Sequence, residues 1–169
     1  IVTGPRQAGK TTLRRQAFPG KPYVTLEAPD VRAQLQSDAR GFLQRYPDGM
    51  IVDEVQRVPE LTSYLQGMVD DDPRPGRFVL TGSQHFGLMA TTSQSLAGRA
   101  GLLQLLPCNL DELARFPARK PHGLFETLWH GAYPRIHDQG LLAPEWLANY
   151  VDTYVQRDVR QVLQVGDLS

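Results

Sequence analysis

Nine residues near the start of the chain, Gly4-Pro5-Arg6-Gln7-Ala8-Gly9-Lys10-Thr11-Thr12, hold every fixed position of the phosphate-loop spacing G-x-x-x-x-G-K-[ST]. The two glycines let the backbone turn tightly enough for successive N–H groups to face one anion, and the helix that follows adds its positive dipole end. Those groups are expected to cradle α- and β-phosphates. Lys10 is long enough to reach β- and γ-phosphates as a mobile point charge, and the Thr11 hydroxyl stands where a bridging Mg²⁺ takes an oxygen ligand. The ligand expected is a nucleoside triphosphate with Mg²⁺. The competing reading is a chance glycine-rich turn. The flanks oppose it, because apolar Ile1-Val2 ends a strand and Leu13 to Phe18 continues as a helix.

A second group follows the apolar run Met50-Ile51-Val52, which leads directly into Asp53-Glu54. In this setting Asp53 is expected to hold the Mg²⁺, usually through water, and Glu54 to polarise an attacking water. Adjacent side chains on a strand point to opposite faces, so the alternative leaves Glu54 merely solvated. A glutamate placed to activate water favours hydrolysis over transfer to a substrate hydroxyl. A third group, Thr81-Gly82-Ser83-Gln84, tips the strand Arg77-Phe78-Val79-Leu80. Ligands of open parallel sheets sit outside the carboxyl ends of strands, so Ser83 or Gln84 would bond the γ-phosphate or the water, against an ordinary turn at Gly82. Arg99, after the flexible Gly98, suits a guanidinium set against a phosphate in its own subunit or a neighbour's. A surface arginine in a loop is the alternative.

The elements that position these groups read as an α/β domain. Tyr23 to Leu26 is a short strand, Ala28 to Leu35 and Gly41 to Tyr46 have helical spacing, and Pro47-Asp48-Gly49 closes the second. Val55 to Glu60 reads as a loop, and Pro59 suits the first turn of a helix that buries Leu61, Tyr64, Leu65, Met68 and Val69. Asp70-Asp71-Asp72, beside two prolines, reads as a solvated turn rather than a metal site. Leu102 to Pro107 is the fifth strand expected. Beyond it Asn109 caps a short helix, Pro117 to His122 is a loop, and Leu124 to Trp129 begins a helical element broken at Gly131 to Arg135. Pro144 opens a long helix whose apolar period runs from Trp146 to Val162. This divides the chain into a core at 1–107, its first strand truncated, and a helical extension at 108–169. A strand first visible at Ile1-Val2 also suggests a fragment of a longer protein.

Eighteen basic and eighteen acidic residues cancel over 169 positions. The neutral balance gives no electrostatic case for nucleic acid or an anionic membrane as an obligatory partner. Cys108 is the only cysteine, which excludes an internal disulfide and a cysteine metal cluster and reads as a small buried residue in a reducing cytoplasm. The four histidines are too scattered for a metal site, and no run of about 18 apolar residues exists.

Taken in order, these elements resemble the AAA+ branch of P-loop ATPases. More narrowly, Gly4 to Leu13, Ile51 to Gln56, Leu80 to Ser83 and Ser95 to Arg99 look like a prokaryotic group of predicted ATPases with an N-terminal AAA domain and a C-terminal domain of unknown function. The resemblance implies a P-loop NTPase three-layer α/β/α fold with a five-stranded, mainly parallel sheet, followed by a small helical subdomain that leads to a further domain. It makes Gly4 to Thr12 the Walker A motif, Asp53 and Glu54 Walker B, and Ser83 or Gln84 the sensor 1 position. Arg99 is similar to an arginine finger by location. No sensor 2 arginine in a four-helix lid matches. ATP rather than GTP, Mg²⁺, a homo-oligomer and an unidentified protein partner are implied with it. The function expected is Mg²⁺-dependent ATP hydrolysis coupled to conformational change. A nucleotide-bound switch with little turnover, a small-molecule kinase and a nucleic-acid motor are the rivals.

Overall fold

The computed structural model describes residues 1–83, 95–116 and 123–155. Five short strands are present among them: β1 (Val2–Thr3), β2 (Tyr23–Thr25), β3 (Ile51–Asp53), β4 (Val79–Leu80) and β5 (Leu103–Gln104). All pairings are parallel. β3 lies between β2 and β4, with Val24 opposite Val52 and Val52 opposite Leu80, while β1 pairs with β5 through Val2 and Leu103. The single five-stranded sheet expected from the resemblance is therefore seen as a three-stranded and a two-stranded sheet. One isolated bridge, Val2 to Thr81, joins them, and beside it the Gly82 N–H donates to the Val2 carbonyl at 3.3 Å.

Two apolar β-branched residues, Ile51 and Val52, open the central strand and are buried on its two faces as a parallel sheet requires. Helices cover them. α1 (Lys10–Ala17) follows β1, α2 (Pro29–Ser37) starts with proline in its first turn, and α3 (Ala39–Gln44) is capped by the Asp38 carboxylate, which accepts from the Gly41 N–H at 2.9 Å. α4 (Leu61–Asp71) turns Leu61, Thr62 and Leu65 inward at helical spacing. Leu61 and Leu65 meet Val24, Leu26, Leu35, Phe42, Leu43, Met50, Val52 and Leu80 in one core, each buried leucine worth roughly 2 kcal/mol of transfer free energy.

The sharpest steric demand in this core's wall is at Gly49. Its φ is +85°, and a Cβ there would lie 1.8 Å from the Arg77 carbonyl oxygen. Gly49→Ala is expected to lower stability by roughly 2–4 kcal/mol, since strain and a backbone clash add. A urea midpoint equal to the wild type's would contradict this.

Three segments differ from expectation. Val55–Arg57 forms a 3-10 turn, closed by the Arg57 N–H on the Glu54 carbonyl, where a loop was expected. Pro134 does not only break a helix: its fixed φ starts another, Pro134–Asp138. The acidic run was expected as a turn, but Asp70 and Asp71 end α4 and only Asp72, its C-cap, lies beyond it, bonded to Arg74 and paired with Arg77.

The chain divides into two compact units, residues 1–5 with 9–106 and residues 6–8 with 107–169. The second is helical where it is described. Its elements are α5 (Leu110–Leu113), α6 (Leu124–His130), α7 (Pro134–Asp138), α8 (Ala143–Tyr150) and a π-helical turn, Val151–Val155. Asn109 and Glu112 form a reciprocal capping box on α5. Tyr133, Trp146, Tyr150 and Tyr154 stack in sequence with centroids 4.9 to 5.2 Å apart, and the Tyr150 hydroxyl donates to the Arg6 carbonyl at 3.1 Å. Cys108 is half-buried rather than buried; burial raises its thiol pKa, with the Glu112 charge adding to it. The continuation of the last helix to Val162 lies outside the described residues, as do Gln84, His85 and His122.

Candidate active site

The loop from β1 to α1 carries the backbone signs of an anion cradle. Gly4 has φ +145° and packs so closely on β5 that a Cβ would lie 2.1 Å from the Leu105 carbonyl oxygen. Gln7 and Gly9 are also left-handed, with φ 65° and 96°. A non-glycine residue held there carries strain of about 1–3 kcal/mol, which folded chains retain mainly at functional loops. Gly9 caps α1 without a side-chain bond, so the helix opens with N–H groups that no cap side chain satisfies. The Lys10 ammonium folds back over the loop and donates to the Gly4 and Pro5 carbonyls at 2.9 and 2.8 Å. Thr11 and Thr12 are exposed in the first turn of α1.

Asp53 ends β3 among donors. Its Oδ2 accepts from the Tyr23 hydroxyl at 2.7 Å, and its Oδ1 accepts from the Thr81 hydroxyl and, at 3.2 Å, from the Glu54 N–H. Three of a carboxylate's roughly four lone-pair sites are thereby used. Burial raises the Tyr23 pKa, and the bond to Asp53 and its charge raise it further, with Arg14 opposing. Tyr23 thus stays a donor at neutral pH. The Arg14 guanidinium lies over its ring, 3.1 Å from the centroid.

At Glu54 the backbone leaves the strand with φ 57°, so strict alternation of faces no longer applies to its side chain. Its Oε2 accepts from Gln56 Nε2, and the same amide nitrogen donates to Ser83 Oγ at 3.0 Å. Glu54 and Ser83, 29 positions apart in the sequence, therefore share one donor. Asp53, Glu54 and Ser83 come together at the strand ends. Arg99 does not join them: Nε and Nη2 are paired with Asp70, the latter at 3.1 Å, and this holds the Asp70 carboxyl below the usual carboxylate range. Arg99 and Lys10 both line a mostly apolar cavity of about 500 Å³, with Leu13, Phe18 and Leu65.

Residues 1–114 match the protein family described as AAA domain, which covers well over half of the chain. The chain belongs to the AAA domain family. This AAA domain is also similar to two mycobacterial proteins, each named as an uncharacterized protein, one from Mycobacterium bovis and one from Mycobacterium tuberculosis. Identity to each is 32% over 169 residues, covering 96% of this chain and 36% of the relative. The chain thus spans about a third of the length of the curated relatives it matches. A parallel α/β architecture and an ATP-binding, ATPase-type function accord with the family.

Mg²⁺ fits the donors that the AAA domain offers. Among the described residues no three His, Cys, Asp or Glu side chains cluster, so a caged transition-metal site is not what they form. One carboxylate and one hydroxyl are hard oxygen donors, the set Mg²⁺ takes when phosphate and water complete its shell. Also among the described residues, no helix is long and apolar enough to cross a membrane.

Three side chains in these contacts escape sequence reasoning: Tyr23, Thr81 and Gln56. Thr81 was legible only as part of a polar strand tip. Gln56 sits in the stretch that follows the acidic pair, but its role as a bridge requires knowing that β4 ends beside β3. Tyr23 requires the β2–β3 register, which sets Thr25 opposite Asp53 and Tyr23 two residues back on the same face.

Proposed function

We propose that this AAA domain binds ATP with Mg²⁺ and hydrolyses it, coupling nucleotide state to conformational change in a larger cytoplasmic protein. The observation that carries the reading is the meeting of Asp53, Glu54 and Ser83 at the ends of two parallel strands of a domain that opens with a phosphate loop. In this reading Gly4 to Thr12 hold the phosphates, Lys10 neutralises charge at the β- and γ-phosphates, and Thr11 and Asp53 hold Mg²⁺, which supplies charge neutralisation when bound. Glu54 is the general base, and Ser83 or Gln84 bonds the γ-phosphate or the water. The five strands act as one sheet through the Val2–Thr81 bridge, residues 1–107 form the ATPase core, and 108–169 form a helical extension leading to a further domain.

Arg99 serves a phosphate, in its own subunit or a neighbouring copy's, once its pair with Asp70 opens. That pair, with the Glu54 carboxylate bonded to Gln56, favours a second reading: a nucleotide-bound switch with little basal turnover. Phosphate release without an added acceptor, measured over a range of protein concentrations, separates these readings. Hydrolysis by an assembling ATPase predicts specific activity that rises with concentration and requires Mg²⁺, with the rise lost in Arg99→Ala. Activity that survives EDTA, or appears only with an added acceptor, would contradict it.

A further inference from the structure

Gln56 stands between the proposed base and the proposed sensor. Its Nε2 donates to Glu54 Oε2 and to Ser83 Oγ at once. Because a carboxylate only accepts, this bond also settles which end of the amide is nitrogen. Gln56 Oε1, at the other end, is buried and accepts from no donor among the described residues. Ser83 is 3% exposed, so its hydroxyl is a fixed anchor rather than a solvated group. The backbone adds to this: Gln56 belongs to the 3-10 turn that the left-handed Glu54 opens, and the Val55 N–H ties that turn to the Thr81 carbonyl at 3.1 Å.

We propose that Gln56 is a positioning residue for the hydrolytic step, fixing the Glu54 carboxylate against Ser83. The proposal rests on the hydrolytic reading above. In that step the water oxygen bonds to the γ-phosphorus as the bond to the bridging oxygen breaks. One water proton passes to Glu54, and ADP leaves. Without Gln56 the carboxylate loses its place, and misplacement by about 1 Å loses on the order of 100-fold in rate. ATP contacts at the phosphate loop are untouched, so the loss falls on kcat.

The test is kcat and ATP affinity for the full-length protein, with Mg²⁺ and ATP, in wild type, Gln56→Met, Gln56→Glu, Glu54→Gln and the Glu54→Gln/Gln56→Met double variant. Methionine keeps the volume and removes both polar ends. Glutamate keeps the shape, removes the donor and sets a second carboxylate against Glu54, so it reads the same contact should the methionine variant not fold. Each is expected to lose about 10–100-fold in kcat with ATP affinity within about threefold of wild type. The double variant should be no slower than Glu54→Gln alone, because a residue acting through Glu54 has nothing left to position. Unchanged kcat in Gln56→Met, affinity that falls in step with kcat, or losses that multiply in the double variant would each overturn the assignment. A wild type that turns over no ATP would instead overturn the hydrolytic reading, and this proposal with it.

Discussion

Lys10→Ala should weaken ATP binding about 100-fold, the largest binding effect of any single substitution in this chain. A hydrogen bond to a charged group is worth about 1.5–3 kcal/mol, and the upper end converts to about 100-fold in affinity. The ammonium now donates to the Gly4 and Pro5 carbonyls, so it is stored within the loop and has only to swing from those oxygens to phosphate oxygens. Both are acceptors, and the exchange leaves no buried cation stranded. Lys10→Arg should not rescue binding, since a planar fork cannot occupy the space a point charge uses between two carbonyls. Calorimetric titration with ATP and Mg²⁺ reads the effect. Affinity within threefold of wild type would mean that phosphates do not bind at this loop.

Glu54→Gln should lower turnover by about 10²–10⁴-fold and leave ATP affinity intact, the largest rate effect expected. The amide has the same shape, and its carbonyl can still accept from Gln56, so the contact with Ser83 is preserved while the base is lost. The Asp53 carboxylate, bonded to Tyr23 and Thr81 from two other strands, is not disturbed. A variant that keeps more than about a tenth of wild-type turnover, a smaller loss than general-base removal gives, would remove Glu54 from the reaction.

The parts of this site that sequence reasoning reaches are those whose chemistry is local. The phosphate loop is a single run of residues with a fixed spacing, and Asp53-Glu54 is visible because an apolar strand leads straight into it. Its helix at 61–71 was legible in part, since the spacing of Leu61, Leu65 and Met68 is set by the helix itself, but Tyr64, expected on the same buried face, is 42% exposed and Thr62 is buried instead. What escaped depends on which strands are neighbours. Gln56 with Ser83, Thr81 with Asp53 and Tyr23 with Asp53 join residues 27 to 30 positions apart, and no local period records such pairs. Arg99 illustrates the same boundary. Its glycine-flanked position suggested a phosphate partner, yet Asp70 at the end of α4 is the partner it has. Strand lengths were also overestimated. The segment Arg77 to Leu80, expected as a strand, pairs only at Val79 and Leu80, which lie opposite Ile51 and Val52.

The most direct test of the account is multiple-turnover phosphate release by the full-length protein with ATP and Mg²⁺, beside Glu54→Gln, with ATP binding measured on the same samples. Sustained release by wild type, release by Glu54→Gln lower by at least about 100-fold, and equal binding by both are expected. Tight binding by both with no release by wild type above the Glu54→Gln level would contradict hydrolysis as the activity of this site.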